Sequence, residues 1–223
     1  MGLGIVLFLV TLFIIVYQVL HKENLGVSLP AFLVIALVMV GYPSIKSFQY
    51  KDGVFDLEKQ TREVQADPQD KAARASLNAV VAQMAPRVQT GTAQEITKLA
   101  AAQYALGKES AAKAALDKAL SRDPQAEPAL ALKNRIESID QIRKLNTLAQ
   151  SQPQNDAIKR QLAQTVSIVS SQFKLANPNA ILDVARAQIT LGEHKAALDN
   201  LNKVISIQPS VQATRLKEEL NKK

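Results

Sequence analysis

Two stretches decide the fold: Ile96-Thr97-Lys98-Leu99-Ala100-Ala101-Ala102-Gln103-Tyr104-Ala105-Leu106-Gly107 and Ile181-Leu182-Asp183-Val184-Ala185-Arg186-Ala187-Gln188-Ile189-Thr190-Leu191-Gly192. Both continue in step, through Ala112, Leu116, Ala119, Leu120 and Asp123-Pro124 in one copy. The other copy runs through Ala197, Leu201, Val204, Ile205 and Gln208-Pro209. Ile96, Leu99, Ala100 and Gln103 share a helical face at three- and four-residue spacing. Gly107 and Gly192 suit the positive φ of a helix C-terminal turn. Ala112 and Ala197 are small where two antiparallel helices would cross closely. Pro124 and Pro209 cannot continue a helix. Each copy therefore predicts helix, tight turn, helix and stop. A single such pair cannot bury its own apolar face and must stack on neighbours.

These copies resemble tetratricopeptide repeats. The family pattern of small residues, turn glycine and closing proline is met by Ala100, Gly107, Ala112, Ala119 and Pro124, and again by Ala185, Gly192, Ala197 and Pro209. Ile96 and Ile181 stand where the family usually has a bulky aromatic residue. The family period is about 34 residues, whereas Gly107 and Gly192 are 85 positions apart. That gap amounts to two and a half units. Between the copies, Leu132, Ile136, Ile139, Leu145 and Leu148 mark one helix and Ile158, Leu162, Val166, Val169 and Phe173 a second. Gln152-Pro153-Gln154-Asn155 breaks them, so the expectation is two long helices forming a degenerate repeat. Upstream, Leu77, Val80, Val81 and Met84 mark a further helix, and Asp67-Pro68 echoes Asp123-Pro124. A charged helix over 211–223 suits the end of the stack.

The N-terminal part is a different material. Gly2 to Leu20 carries no charge, His21 to Asn24 is a short polar break, and Leu25 to Ile45 is apolar again. Spanning a bilayer takes about 20 apolar residues, so the pattern predicts an antiparallel transmembrane hairpin. Gly26, Ser28, Ala31, Ala36 and Gly41 offer small surfaces for packing against other spans. A cleaved signal peptide fits poorly, because no basic segment precedes the first run and no small-residue cleavage site follows it. The turn holds Lys22 alone, while Lys46, Lys51, Lys59 and Arg62 follow the second run. The bias of cationic residues predicts a cytoplasmic repeat domain, on a bacterial inner membrane, with a periplasmic placement as the alternative.

The expected architecture is thus all-α: a two-helix transmembrane hairpin over 1–48, a helical linker over 49–68 and a tetratricopeptide-like α-solenoid over 69–223. The chain has no cysteine, which removes disulfides, thiolate metal sites and cysteine nucleophiles. Its formal charge of +7 comes from lysines scattered among acids, the pattern of solvated helix faces. Phosphate loops, dinucleotide fingerprints and nucleophile elbows are missing from the sequence. His21 and His194 lack neighbours in sequence that could share a metal. The reading is a non-enzymatic protein with no cofactor, no metal, no small-molecule substrate and no nucleic-acid partner.

Tetratricopeptide domains bind peptides or protein surfaces in the groove of their first helices. By that resemblance Lys98, Gln103, Tyr104, Arg186 and Gln188 are the partner-binding candidates. Lys98 and Arg186 would suit an acidic segment or a C-terminal carboxylate. A two-span anchor followed by such repeats is also similar to the cytochrome c maturation factors that present apocytochrome. In those factors a sizeable loop separates the spans, where this chain has a few residues. The expected function is a membrane-anchored scaffold or assembly factor for a protein partner. The alternative is a structural accessory subunit of a larger integral membrane complex.

Overall fold

The computed structural model describes residues 52–222. The hairpin expected over 1–48, with its packing residues Gly26, Ser28, Ala31, Ala36 and Gly41, lies outside the described residues. Among the described residues the structure is entirely helical. Its elements are α1 (52–66), α2 (Lys71–Val88), α3 (Ala93–Ala105), α4 (Glu109–Arg122), α5 (Glu127–Ser151), α6 (Asp156–Gln172), α7 (Pro178–Leu191), α8 (His194–Ile207) and α9 (Val211–Asn221). Residues 54–222 belong to one compact unit, and none of the helices described is long and apolar enough to cross a membrane.

Local chemistry explains the helix ends. Thr92 and Glu95 form a reciprocal capping box at α3, in which the Glu95 amide donates to Thr92 Oγ1 at 3.3 Å and the Thr92 amide donates to Glu95 Oε2 at 2.7 Å. Asp70, Asn155, Asn177 and Ser210 cap α2, α6, α7 and α9 through their side chains. Pro178 then occupies the first position of α7, where its missing N–H costs nothing. Asp67 and Asp123, each followed by proline, accept the amide two residues on at 3.0 Å. The same turn therefore recurs after α1 and after α4.

The two repeated turns close identically. Gly107 (φ 82°) and Gly192 (φ 79°) are left-handed. The Lys108 amide donates to the Gln103 carbonyl at 2.9 Å, and the Glu193 amide to the Gln188 carbonyl at 2.8 Å. Both are the six-to-one bonds of a Schellman closure. The small positions do what small residues do at helix crossings: Ala100, Ala112, Ala119, Ala185 and Ala197 are fully buried. Leu116 packs in the first pair. In the second, Ile181, Leu201, Val204 and Ile207 form a core with Ala213 and Leu220 of α9. The C-terminal helix thus covers the last apolar face, as expected for the end of a stack.

The unusual spacing resolves into one ordinary step and one enlarged step. α5 starts 34 residues after α3 (Glu127 after Ala93), and α7 starts 51 residues after α5 (Pro178 after Glu127). The excess lies in the middle pair, where α5 has 25 residues and α6 has 17, against 13 or 14 in the matched helices. α5 packs against both α3 and α7. Its buried stripe is Leu132, Ile136, Ile139, Ile142, Leu145 and Ala149, whereas Leu148, read as core from spacing, is 44% exposed. At that level of the helix, Leu145 and Ala149 occupy the inward face instead.

This length brings the first repeat against the last. The Gly107 carbonyl accepts from Asn179 Nδ2 at 3.3 Å, and a methyl group placed on Gly107 would lie 3.4 Å from Pro178 Cδ and Cγ. Arg74 of α2 closes the junction by donating from one Nη1 to the carbonyls of Ala105 and Ala176, both at 3.2 Å. Gly107→Ala and Gly192→Ala should each cost about 1–2 kcal/mol through the strained left-handed backbone. Denaturant titration of the full chain in mild detergent, followed by circular dichroism, measures this.

Candidate partner-binding surface

A cleft of about 490 Å³ opens between the α1–α2 connection and the second repeat. Gln65 and Gln69 border it on one side, and Phe173 to Leu175, the start of the non-helical segment before α7, border another. Ile181, Val184 and Gln188 of α7 and Asn200, Lys203 and Ile207 of α8 complete the wall. Its lining is apolar along Leu175, Ile181, Val184 and Ile207, with amides, lysines and the Asp199 carboxylate between. Asn200 Nδ2 donates to the buried Gln188 Oε1 at 2.8 Å, which fixes both amides. Phe173 is held from behind by the Arg135 guanidinium, 5.0 Å from the ring centroid. The Ala176 carbonyl is tied down by Arg74, whose guanidinium burial pushes below its ordinary value. The cleft therefore has a mixed polar and apolar lining beside a clamped stretch of backbone.

A separate charge cluster joins three helices. Arg143 of α5 donates to both carboxylate oxygens of Glu109 at the start of α4, from Nη1 at 2.9 Å and Nη2 at 2.8 Å. It also reaches Asp140 at 2.7 Å and Asp183 of α7 at 2.5 Å. Lys113 adds bonds to Glu109 at 3.0 Å and Asp140 at 2.9 Å. The Arg143 bonds hold the Glu109 carboxyl down at about 2, with Lys113 adding to the effect. Bonding to Glu109 raises the Arg143 guanidinium, and bonding to Asp140 raises the Lys113 ammonium. Asp183 goes the other way. Its burial lifts the carboxyl above the ordinary range despite its bond to Arg143.

The five partner-binding candidates do not meet on one face. Lys98 is taken by Glu58 of α1 at 2.6 Å. Gln103 and Tyr104 are buried, and burial pushes the Tyr104 phenol well above its usual value. Arg186 donates to Gln212 Oε1 of α9 at 2.8 Å and lies 3.7 Å from Asp183. Gln188 alone borders the cleft. The residues that sequence reasoning passed over are Gln65, Gln69, Asn200 and Lys203 in the cleft and Arg143 in the cluster. No local signal marks the cleft residues, since its walls come from segments more than a hundred positions apart. Arg143 had a faint one, because a three-residue step from Asp140 places both on one helix face.

With the geometry in hand, comparison with known proteins adds one match. The tetratricopeptide repeat profile matches residues 96–126 and 179–211. These are the two pairs α3–α4 and α7–α8, so these two helix pairs match the tetratricopeptide repeat, a unit of protein–protein interaction. The matched stretches are a minority of the chain. No curated protein and no solved structure matches it.

The Glu109 carboxyl has an ordinary value of 4.5 and is held near 2 in the fold. A depressed acid contributes stability that is complete above pH 4.5 and is lost as pH falls towards 2. After allowance for solvent screening this amounts to on the order of 1–2 kcal/mol. Glu109→Gln should lower stability at pH 7 by about that amount and converge on the parent as pH approaches 2. Asp183 works in the opposite sense; burial, the first cause of its lift, is common to both proteins, and the variant removes the smaller part that comes from the Glu109 charge. Denaturation midpoints collected from pH 7 down to pH 2.5 measure the difference.

Proposed function

We propose that this protein is a membrane-anchored scaffold that holds a partner protein beside the bilayer, taking an extended segment of that partner in the cleft between the α1–α2 connection and α7–α8. The cleft carries this reading: it is formed on the second tetratricopeptide repeat, its backbone is clamped at Ala176, and it offers apolar walls beside Asn200 and Lys203. Backbone-directed amides with apolar pockets between them are how such grooves hold extended peptides. The anchor is supported by the two uncharged runs ending at Leu20 and Ile45, each long enough to span. Lysines clustered after the second run support a cytoplasmic repeat domain.

A photoreactive benzoylphenylalanine at Lys203, in cells carrying the full chain, should give a discrete adduct that the same probe at Ser121, exposed on α4, does not. Equal adduct patterns from both positions would remove the cleft from the account. For the side of the membrane, a C-terminal tag should resist protease added to spheroplasts and be cut only after lysis. Cleavage in intact spheroplasts would place the repeats outside.

A further inference from the structure

We infer that the outward face of α1 rests on the bilayer surface, with the Phe55 ring seated at the level of the lipid headgroups. The inference rests on the membrane anchor proposed above. Phe55 is 67% exposed, while the other aromatic residues described, Tyr104 and Phe173, are buried or half-buried. Among the chain's six Phe and four Tyr, only those two lie beyond Phe55. Tyr42, Phe48, Tyr50 and Phe55 therefore form the end of an aromatic-rich stretch that begins within the second apolar run. Aromatic side chains gather at membrane–water boundaries because the ring is apolar enough to leave water yet tolerates the polar interface.

Position and neighbours fit the same partner. Phe55 follows Ile45, the end of the apolar run, by ten residues. Even fully extended, that length of chain spans about 35 Å, so the ring is tethered close to the membrane whatever path the chain takes. On α1 the core face is Val54, Leu57, Thr61 and Val64, at three- and four-residue steps. The opposite stripe is Phe55, Lys59 and Arg62, all exposed, one and two helical turns apart. Lys59 beside the exposed ring is a residue type that reaches lipid phosphates, while Arg62 donates to Glu58 one turn back on α1. Asp52, Asp56 and Glu63 flank the stripe and are also exposed. Acids outnumber cations on this face, three to two, so the attraction is the apolar ring at the interface rather than an anionic surface.

The chain contains no Trp, which makes Phe55→Trp a unique fluorophore at an exposed site. The full-length variant would be reconstituted in phosphatidylcholine vesicles with and without shallowly brominated acyl chains. Val211→Trp, at a position 87% exposed, serves as the solvated comparison. The expected result is blue-shifted emission from Phe55→Trp and roughly twofold quenching by the brominated lipid, as for a ring in the interfacial belt, with Val211→Trp unaffected. If the chain floats with the vesicles but Phe55→Trp emits and quenches like Val211→Trp, the inference fails and the anchor stands. That outcome includes the case in which the ring serves a protein partner. If the chain does not float after an alkaline wash, the anchor and the inference both fail.

Discussion

The fold of the described region turns on Arg143. One guanidinium holds a carboxylate from the start of α4, another a turn back on α5, and a third from α7. Three helices from three different pairs are thereby fixed in register. Partly buried ion clusters often add little net stability, because desolvation offsets much of their attraction. What such a cluster supplies is specificity, since any slip of α7 along α5 would part the buried Asp183 from Arg143 and leave it only the more distant Arg186 of its own helix. Asp183 carries that cost visibly, its carboxyl lifted by burial even with Arg143 bound.

The reach of Arg143 depends on the length of α5. A regular tetratricopeptide stack repeats every 34 residues or so, and each unit meets only its neighbours. Here α5 packs against α3 and α7 as the neighbour of both, and in addition the Gly107 turn of the first pair comes against Pro178 of the last. Arg74 then ties the end of α3 to the segment before α7. The consequence is functional as well as architectural. Residues 65–69, far from the second repeat in sequence, become one wall of the cleft on it.

How much of this could be read from sequence depended on whether the signal was local. The turn glycines, the small crossing positions and the Asp-Pro stops act within one helix pair, and each occupies the expected place. The long middle helices were legible from their leucine and isoleucine spacing, although periodicity cannot say which of several apolar stripes turns inward, and Leu148 turned out. The partner-binding candidates were chosen as if the first helices lined an open groove. Instead α1 supplies Glu58 to Lys98, the core takes Gln103 and Tyr104, and α9 takes up Arg186. Those outcomes depend on contacts between distant segments, which a linear pattern does not encode. The cleft shares that property, and of the five candidates only Gln188 lines it.

The central claim is that the Arg143 cluster couples the two tetratricopeptide repeats into one body. Hydrogen exchange by mass spectrometry on the full chain and on Arg143→Leu tests it most directly. The account predicts that α3–α4 and α7–α8 are protected to a similar degree in the parent and open together. In the variant the two pairs should exchange at separate, faster rates, with α7–α8 losing protection along the side facing α5. Unchanged protection of both pairs in Arg143→Leu would contradict the claim and leave apolar packing alone as what joins them.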